Sequence, residues 1–165
     1  MTRVFVLLGS NLDAEQNLRR AVALLGEQLA LLSISPVFES APVGYSEQPC
    51  FLNAVLEIET ALAPARLRNG VLRPVETALG RVRTRNKFGP RTIDLDIVLY
   101  GDRVLICGGR RIPDPDLVRQ PHMAFPMASL APDLGHPETG ETMQTVASRL
   151  PSGSIRIRAD LEITI

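Results

Sequence analysis

The chain has 165 residues, of which 45% are hydrophobic and 22% are charged. This length is enough for one domain with a sizeable core, and we expect residues 1–165 to form a single domain. No apolar run reaches the roughly 18 residues that a membrane-spanning helix needs, so no membrane partner is expected. Lysine plus arginine and aspartate plus glutamate number 18 each, so no overall field attracts nucleic acid or an anionic membrane.

The N-terminal sequence and the cysteines together predict a cytoplasmic protein. The segment MTRVFVLLGSNL has no small-residue cleavage site and leads into a turn, which is typical of a first strand rather than a signal peptide. Cys50 and Cys107 lie far apart and match no metal-binding spacing, so reduced thiols are expected.

The N-terminal half predicts strands on either side of a helix. Residues 3–8 are typical of a strand, with a turn expected at residues 9–11. From Asp13 to about Leu32, apolar residues recur at three- and four-residue spacing, which predicts a helix with Asp13 at its N-cap. Two extended segments are predicted next, at residues 34–44 and at residues 50–60.

The C-terminal half adds a second helix and more strands. A helix is predicted over residues 64–79, ended by Gly80 and interrupted at Pro74, because proline has no backbone N–H. The remaining predicted elements are a strand at 92–100, a hairpin and loop at 101–115, a short helix at 142–150 and an alternating tail at 155–165.

The order of these elements is that of a ferredoxin-like α+β sandwich, with helices packed on one face of a mainly antiparallel sheet. The tail would form an extra edge strand, either within the monomer or against a neighbouring chain.

Two aspartates interrupt the apolar strand TIDLDIVLY. Asp94 and Asp96 should face one side of the sheet, and Ile93, Leu95 and Ile97 the other, because strand side chains alternate. Two ionised carboxylates side by side repel each other, and a divalent cation such as Mg²⁺ would relieve that repulsion. The alternative is an ordinary amphipathic strand whose aspartates face water or pair with nearby arginines.

An arginine-rich segment directly precedes these aspartates. No acidic residue lies between Glu76 and Asp94, and the basic residues between them are Arg81, Arg83, Arg85, Lys87 and Arg91. Such cations suit a polyphosphate whose oxygens are shared between metal and guanidinium groups, although a surface salt-bridge patch would have the same composition. The chain contains neither a G-x-x-x-x-G-K-[ST] loop nor a G-x-G-x-x-G turn, so side chains and metal would hold any nucleotide.

The motif GRVR at residues 80–83, followed by FGPRTIDLDIVLYG at 88–101, resembles the 6-hydroxymethyl-7,8-dihydropterin pyrophosphokinase family. Further motifs in the same order are LLGSNL (7–12), SAPVG (40–44), QPCFLNAV (48–55) and SLAPDL (129–134). The resemblance implies transfer of pyrophosphate from ATP, the co-substrate, to the hydroxymethyl group of a reduced pterin in folate biosynthesis, with release of AMP. It also implies two magnesium ions.

The resemblance further implies a role for each residue that matches the family motifs. Asp94 and Asp96 would bind the metal, and Arg81 and Arg91 would steady charge on the phosphates. The nucleotide-side residues would be Glu76, Arg83, Phe88 and Ile97. The pterin-side residues would be Ser40, Pro42, Val43, Gly44, Phe51, Asn53 and His122.

The segment RIPDPDLVRQPHMAF departs from the family pattern at three positions, and Arg73 and Pro74 also replace residues expected on a regular helix beside the nucleotide site. Asp114 stands where the family has histidine, Gln120 where it has arginine and His122 where it has phenylalanine. The first two changes remove a neutral or positive group near the phosphates, which should weaken nucleotide binding.

The expected activity is therefore the pyrophosphokinase reaction of a monomer with ATP and a reduced pterin as its small-molecule partners. The alternatives are a divergent or low-activity kinase acting on a related heterocyclic alcohol, and a non-catalytic ligand-binding module.

Overall fold

The computed structural model describes all residues, 1–165. Its strands, in chain order, are β1 (Thr2–Ser10), β2 (Ala30–Ile34), β3 (Phe38–Ser40), β4 (Phe51–Thr60), β5 (Asp94–Tyr100), β6 (Leu105–Cys107), β7 (Arg110–Ile112) and β8 (Ile155–Ile157). Its α-helices are α1 (Ala14–Gly26), α2 (Pro64–Leu67), α3 (Arg73–Ala78), α4 (Pro121–Leu130) and α5 (Met143–Ser148). A π-helical turn, Arg68–Leu72, joins α2 to α3, and a 3₁₀ turn, Pro115–Val118, precedes α4.

Six strands form one sheet in which every pairing is antiparallel. The order is β5–β1–β4–β3–β8, and β2 pairs with β4 on the same side as β3. β6 and β7 form a separate two-stranded ribbon, which is the hairpin predicted after β5. The sheet order and the helices between its strands are those of the predicted ferredoxin-like sandwich.

Helices cover both faces of this sheet, so the prediction of a single covered face is wrong. Val4, Val6 and Leu8 of β1 belong to a core cluster shared with α1, α2 and α3. Phe5 and Leu7 belong to a second core cluster, shared with α4 and α5. β1 is continuously apolar because both of its faces are buried.

α4 was not predicted, because its sequence, PHMAFPMASL, contains two prolines. Pro121 stands at the first helical position, where a missing N–H costs nothing, whereas Pro126 lies inside the helix. The fold accepts this irregular helix because its buried side chains complete the second core cluster.

The chain leaves β1 later than predicted. Gly9 and Ser10, expected in a turn, continue β1 and pair with Asn53 and Leu52 of β4. Asp13 does stand at the N-cap of α1, but with a left-handed φ of 45° its side chain accepts no capping hydrogen bond.

α1 ends earlier than predicted. It stops at Gly26 rather than near Leu32, and the chain enters β2 at Ala30. The apolar spacing continues past the helix because Leu29 and Leu31 also pack against the core, the latter from a strand.

The predicted interruption at Pro74 is confirmed. Pro74 has no N–H to give to the carbonyl of Gly70, and the preceding turn widens so that the Arg73 N–H bonds to the carbonyl of Arg68. α3 then ends before Gly80, whose φ of 78° reverses the chain toward the arginine-rich loop.

The C-terminal tail pairs within its own chain. Only Ile155–Ile157 form a strand, which adds to the edge of the sheet beside β3. The rest of the predicted tail strand is irregular, although Leu161 and Ile163 are buried in the first core cluster. No helix of the chain has the length and apolar character that crossing a membrane requires.

Candidate active site

A cleft of about 350 Å³ opens on the face of the sheet that α4 covers. Its lining comes from the sheet, from the loops that follow β3 and precede β5, and from the segment between β7 and α4. The lining residues are Leu7, Gly9, Ser40, Ala41, Val43, Phe51, Asn53, Phe88, Arg91, Asp94, Asp96, Arg110, Asp114, Asp116, Gln120, His122 and Met123.

The strand register brings side chains of three strands to the floor of this cleft. Gly9 of β1 pairs with Asn53 of β4 on one side and with Asp94 of β5 on the other. Leu7 and Asp96 form the next pair on the same face. A Cβ at Gly9 would lie 3.3 Å from Oδ1 of Asn53, so a side chain there would press on the floor.

The alternation predicted for β5 is confirmed. Asp94 and Asp96 both face the cleft, while Ile93, Leu95 and Ile97 are buried in the core on the other side of the sheet. The two carboxylates therefore stand next to each other at the floor of a cavity, not on an open surface.

Each carboxylate is paired with an arginine. Nη1 of Arg91 donates to Oδ2 of Asp94 at 2.7 Å, and Arg110 of β7 forms an ion pair with Asp96. The sequence left open that the two aspartates pair with nearby arginines, and the structure shows such pairs. The Asp94 and Arg91 side chains are each only 17% exposed, so this pair is shielded from water.

The surroundings of Asp96 disfavour its ionisation. Burial and the neighbouring charge of Asp94 raise the pKa of Asp96 from 3.8 to about 7, against the opposite effect of Arg110. A bound cation would remove this cost.

The donor set fits magnesium. Mg²⁺ prefers oxygen ligands and usually takes one or two protein carboxylates together with water and phosphate oxygens. Asp94 and Asp96 supply two carboxylates, and no group of three or more His, Cys, Asp or Glu side chains surrounds a common point to form a closed protein cage. Most of the coordination sphere would be left for water and substrate.

Glu76 of α3 is hydrogen-bonded to the backbone at the start of β5. Its Oε1 accepts a hydrogen bond from the Leu95 N–H at 2.8 Å, and its Oε2 accepts one from Nη2 of Arg83 at 2.7 Å. Burial raises the pKa of Glu76, and the Leu95 hydrogen bond opposes this. Beside it, Nε of Arg81 is buried without a hydrogen-bond partner.

Arg91 links the two ends of the cleft. Besides its contact with Asp94, its guanidinium lies 5.4 Å from the centre of the Phe51 ring and donates to the Lys87 carbonyl at 2.6 Å. Its backbone N–H donates to Oδ1 of the buried Asn11 at 2.8 Å. Its position is thus fixed by side chain and backbone alike.

Ser40, Phe51 and Asn53 form what we call the β3–β4 wall. Ser40 pairs with Phe51 across the two strands, and Nδ2 of Asn53 donates to Oγ of Ser40 at 2.9 Å. Oδ1 of Asn53 accepts no hydrogen bond from the protein, so this wall presents one aromatic face and one free acceptor.

Two loops meet at the mouth of the cleft. The Phe88 ring lies against Gly44, where an added Cβ would be 2.8 Å from Cγ of that ring. Gln48 donates to the Phe88 carbonyl at 2.6 Å, and Asn11 donates to Oε1 of Gln48 at 2.9 Å. The loop before β5 is therefore hydrogen-bonded to the loop before β4.

Facing the sheet floor, the opposite wall consists of Arg110, Asp114, Asp116, Gln120 and His122. Burial raises the pKa of Asp114, whose Oδ1 accepts a hydrogen bond from the Asp116 N–H at 2.9 Å. Burial lowers the pKa of His122, although Asp116 and Asp114 act the other way. The three departures in the segment RIPDPDLVRQPHMAF thus all lie in this wall.

The structure gathers most of the predicted site residues at the cleft. Those in its lining are Ser40, Val43, Phe51, Asn53, Phe88, Arg91, Asp94, Asp96 and His122. Those outside the lining are Pro42, Gly44, Glu76, Arg81, Arg83 and Ile97, of which Ile97 lines a separate cavity of about 10 Å³.

Arg110 and Asp116 were not predicted. Arg110 stands two positions before the buried Ile112 in β7, so strand alternation could have placed it toward β5. Asp116 lies in a 3₁₀ turn that no periodicity signals.

Comparisons with known proteins agree on one protein family. The sequence profile of the 7,8-dihydro-6-hydroxymethylpterin-pyrophosphokinase family matches residues 5–132. The 2-amino-4-hydroxy-6-hydroxymethyldihydropteridine pyrophosphokinase of Pseudomonas aeruginosa is 38% identical over 139 residues, covering 82% of this chain and 85% of that protein. The folic acid synthesis protein fol1 of Schizosaccharomyces pombe is 37% identical over 161 residues, which are 96% of this chain but 22% of that protein.

Solved structures agree on the fold. The crystal structure of Plasmodium falciparum HPPK-DHPS superposes with a TM-score of 0.72 at 11% identity, covering 90% of this chain and 44% of that one. This chain thus spans less than half of the longer Schizosaccharomyces and Plasmodium chains and most of the bacterial enzyme. From the profile match and the bacterial relative, the chain belongs to the 7,8-dihydro-6-hydroxymethylpterin-pyrophosphokinase family.

Proposed function

We propose that this chain transfers the pyrophosphoryl group of ATP to the hydroxymethyl group of 6-hydroxymethyl-7,8-dihydropterin and releases AMP, as a step of folate synthesis. The observation that carries the proposal is the pair Asp94 and Asp96 at the floor of a cleft that is also lined by two arginines and by the ring of Phe51. Family membership supports the same reaction.

Asp94 and Asp96 would hold two magnesium ions. When bound, the metal would neutralise phosphate oxygens and make the β-phosphorus easier to attack. The protein's part is to present two carboxylates at fixed positions on one strand, with Glu76 bonded to the strand between them at Leu95.

The arginines that now pair with these carboxylates would bind phosphate oxygens. Arg91 and Arg110 pair with the two carboxylates that would hold the metal, and both guanidiniums could bind anionic phosphate oxygens beside it. Arg81 has an unpartnered Nε beside the site and would add a third guanidinium. Arg83 and Glu76 would support the nucleotide side from outside the lining. Ile97 lines the small neighbouring cavity together with Asp96 and Arg110, and from there it would border the base.

The β3–β4 wall would hold the pterin. Phe51 offers a ring face for stacking, and Oδ1 of Asn53 offers an acceptor to a ring N–H. The loop Pro42–Gly44 would close one edge, with Phe88 packed against it, and His122 would face the ring from the opposite wall.

The chemical step needs placement more than covalent help. The hydroxymethyl oxygen attacks the β-phosphorus, the bond from that phosphorus to the oxygen shared with the α-phosphate breaks, and AMP leaves with that oxygen while the hydroxyl proton is released. Arg91 contacts both Phe51 and Asp94, so it would steady charge where the two substrates meet. We propose the monomer as the active form.

The test follows AMP in a mixture of protein, ATP, Mg²⁺ and 6-hydroxymethyl-7,8-dihydropterin. We expect AMP from the wild type and a loss on the order of 10³-fold in Asp94→Asn and Asp96→Asn, which keep the shape but lose the charge. Asp102→Asn, an exposed residue in the turn after β5, is the matched control and should be unaffected. A folded wild type that forms no AMP, or full activity in both Asn variants, would contradict the proposal.

A further inference from the structure

The C-terminal tail, which lies outside the part of the chain matched by the family profile, returns to the strand that carries Ser40. β8 pairs with β3 along its whole length, from Phe38↔Ile157 to Ser40↔Ile155. β3 therefore lies between β4 and the tail, and Ser40 has a tail residue as its outer neighbour.

Ion pairs between side chains also join the tail to β3. Glu39 of β3 accepts hydrogen bonds from Arg156 at 2.9 Å and from Nη1 of Arg158 at 3.3 Å. Arg158 also donates to Glu15, in the first turn of α1, at 2.8 Å. The Arg158 and Glu39 side chains are only 19% and 20% exposed, so their pair is better shielded than an ordinary surface pair.

The tail is also anchored in the core. The Arg158 N–H donates to the carbonyl of Val37, just before β3, at 2.8 Å. Beyond it, Leu161 and Ile163 are buried in the same cluster as Val37. The segment 155–163 is thus held by backbone, charge and apolar contacts at once.

β3 connects the tail to the cleft through Ser40. Oγ of Ser40 accepts the hydrogen bond from Nδ2 of Asn53, which orients that amide so that Oδ1 stays free. β3 has only three residues, and without β8 its outer edge would be open to water. Short edge strands of this kind open locally at low cost in free energy.

We propose that residues 155–163 are a positioning element for the β3–β4 wall and that Arg158 is the residue that fixes it there. The inference rests on the proposed function, because it assumes that the pterin binds at this wall. Arg158 and Glu39 do not line the cleft, so their effect on the substrate passes through the placement of Ser40 and Asn53.

The expected consequence is selective for one substrate. If loss of the ion pair leaves β3 correctly placed in about a fifth of the molecules, the apparent affinity for the pterin falls about fivefold. The carboxylates and arginines that would hold ATP stand on other elements, and they should keep their affinity.

The test compares Arg158→Gln and Glu39→Gln with the wild type in the AMP assay. We expect each variant to raise KM for the pterin about threefold to tenfold, with kcat and KM for ATP within about twofold. Arg149→Gln removes an ion pair with Glu141 near α5, away from the cleft, and is the matched control. Arg158→Lys, which keeps the charge, should recover part of the pterin affinity.

Hydrogen exchange of the amides of residues 37–41 supplies a readout that needs no turnover. Faster exchange there in Arg158→Gln, with the amides of β5 unchanged, supports the inference. Unchanged pterin KM in both Gln variants, or equal changes for pterin and ATP, overturns it. Absence of AMP formation by the wild type would instead overturn the proposed function, so the two failures are distinguishable.

Discussion

The two sides of the cleft are built differently. The floor and the β3–β4 wall come from regular strands, where register and hydrogen bonds fix side chains such as Asp94, Asp96 and Asn53. The opposite wall comes from a hairpin, a 3₁₀ turn and the first turn of α4, and it holds Asp114 and His122. Among the lining residues, the matches to the family motifs lie on the first side and the departures on the second. We infer that the reaction restricts which residues can stand on the sheet side, while residues of the opposite wall adjust the affinity for the substrates.

Apart from the two carboxylates, the largest effect should come from Arg91, which contacts both Asp94 on the floor and Phe51 of the β3–β4 wall. Arg91→Met removes the guanidinium that contacts Asp94 and the Phe51 ring but keeps the backbone N–H that bonds to Asn11. We expect kcat for AMP formation to fall on the order of 10²–10³-fold, because a preorganised cation is lost where phosphate charge develops.

Arg85→Met is the matched control for this change. Arg85 lies in the same loop, is exposed and forms none of the ion pairs of the chain. Its loss should alter kcat by less than about threefold if the effect of Arg91 is local. A kcat for Arg91→Met within about tenfold of the wild type would show that this arginine does not stabilise the transition state.

In the absence of metal, the ionised Asp96 should lower the free energy of unfolding. Its pKa is raised from 3.8 to about 7 in the folded state, so the folded protein holds this proton more tightly than the unfolded one. The free energy of unfolding therefore falls as pH rises from about 4 to 7.

Asp96→Asn removes this loss. In urea unfolding with a chelator present, we expect the variant to be more stable than the wild type by about 2 kcal/mol at pH 8 and nearly equal to it at pH 4. This is less than the full shift would give, because the side chain is 22% exposed and Arg110 loses its partner. A variant that is less stable at pH 8 would mean that the ion pair with Arg110 outweighs the burial of the charge.

The sequence predicts the sheet side of the cleft well and the opposite wall poorly. Alternation in β5 correctly placed Asp94 and Asp96 on one face, because strand geometry alone decides that. It could not find α4, whose two prolines break the helical pattern and whose stability comes from packing against the sheet. Asp116 was missed for the same reason, since packing and not a local pattern brings it to the cleft, whereas alternation with the buried Ile112 could have signalled Arg110.

The end of α1 illustrates the same limit within a regular region. Leu29 and Leu31 continue the apolar spacing of the helix, yet the second of them lies in β2. Periodicity records which side chains are buried, but a short apolar segment can be buried from a helix or from a strand. Pairing of β2 with β4 decides between them, and that partner lies far along the chain.

Asp114 should show a moderate effect on the nucleotide. It stands in the opposite wall where the family pattern has histidine, and its charge would face the triphosphate. Asp114→Asn keeps an oxygen that can accept from the Asp116 N–H but removes the charge. We expect KM for ATP to fall about fivefold, which corresponds to roughly 1 kcal/mol of repulsion between partly solvated charges.

The pterin serves as an internal control for Asp114→Asn, since its KM should stay within about twofold. Asp102→Asn gives the matched external control, because it removes an exposed carboxylate outside the cleft. If KM for ATP rises in Asp114→Asn, this carboxylate assists nucleotide binding, and the opposite wall does not oppose it.

The smallest effect should come from His122 and should appear only in the pH dependence. Burial lowers its pKa below 6.5, and a pterin stacked on the ring would bury it further, so binding favours the neutral imidazole. We expect KM for the pterin to rise about threefold between pH 7 and pH 5 in the wild type, relative to His122→Phe, which keeps a flat ring that cannot titrate. Taking the difference between the two proteins removes the contribution of Asp96, which titrates in both. A KM that falls at acid pH would mean that the imidazolium, held beside Asp114 and Asp116, is the form that meets the substrate.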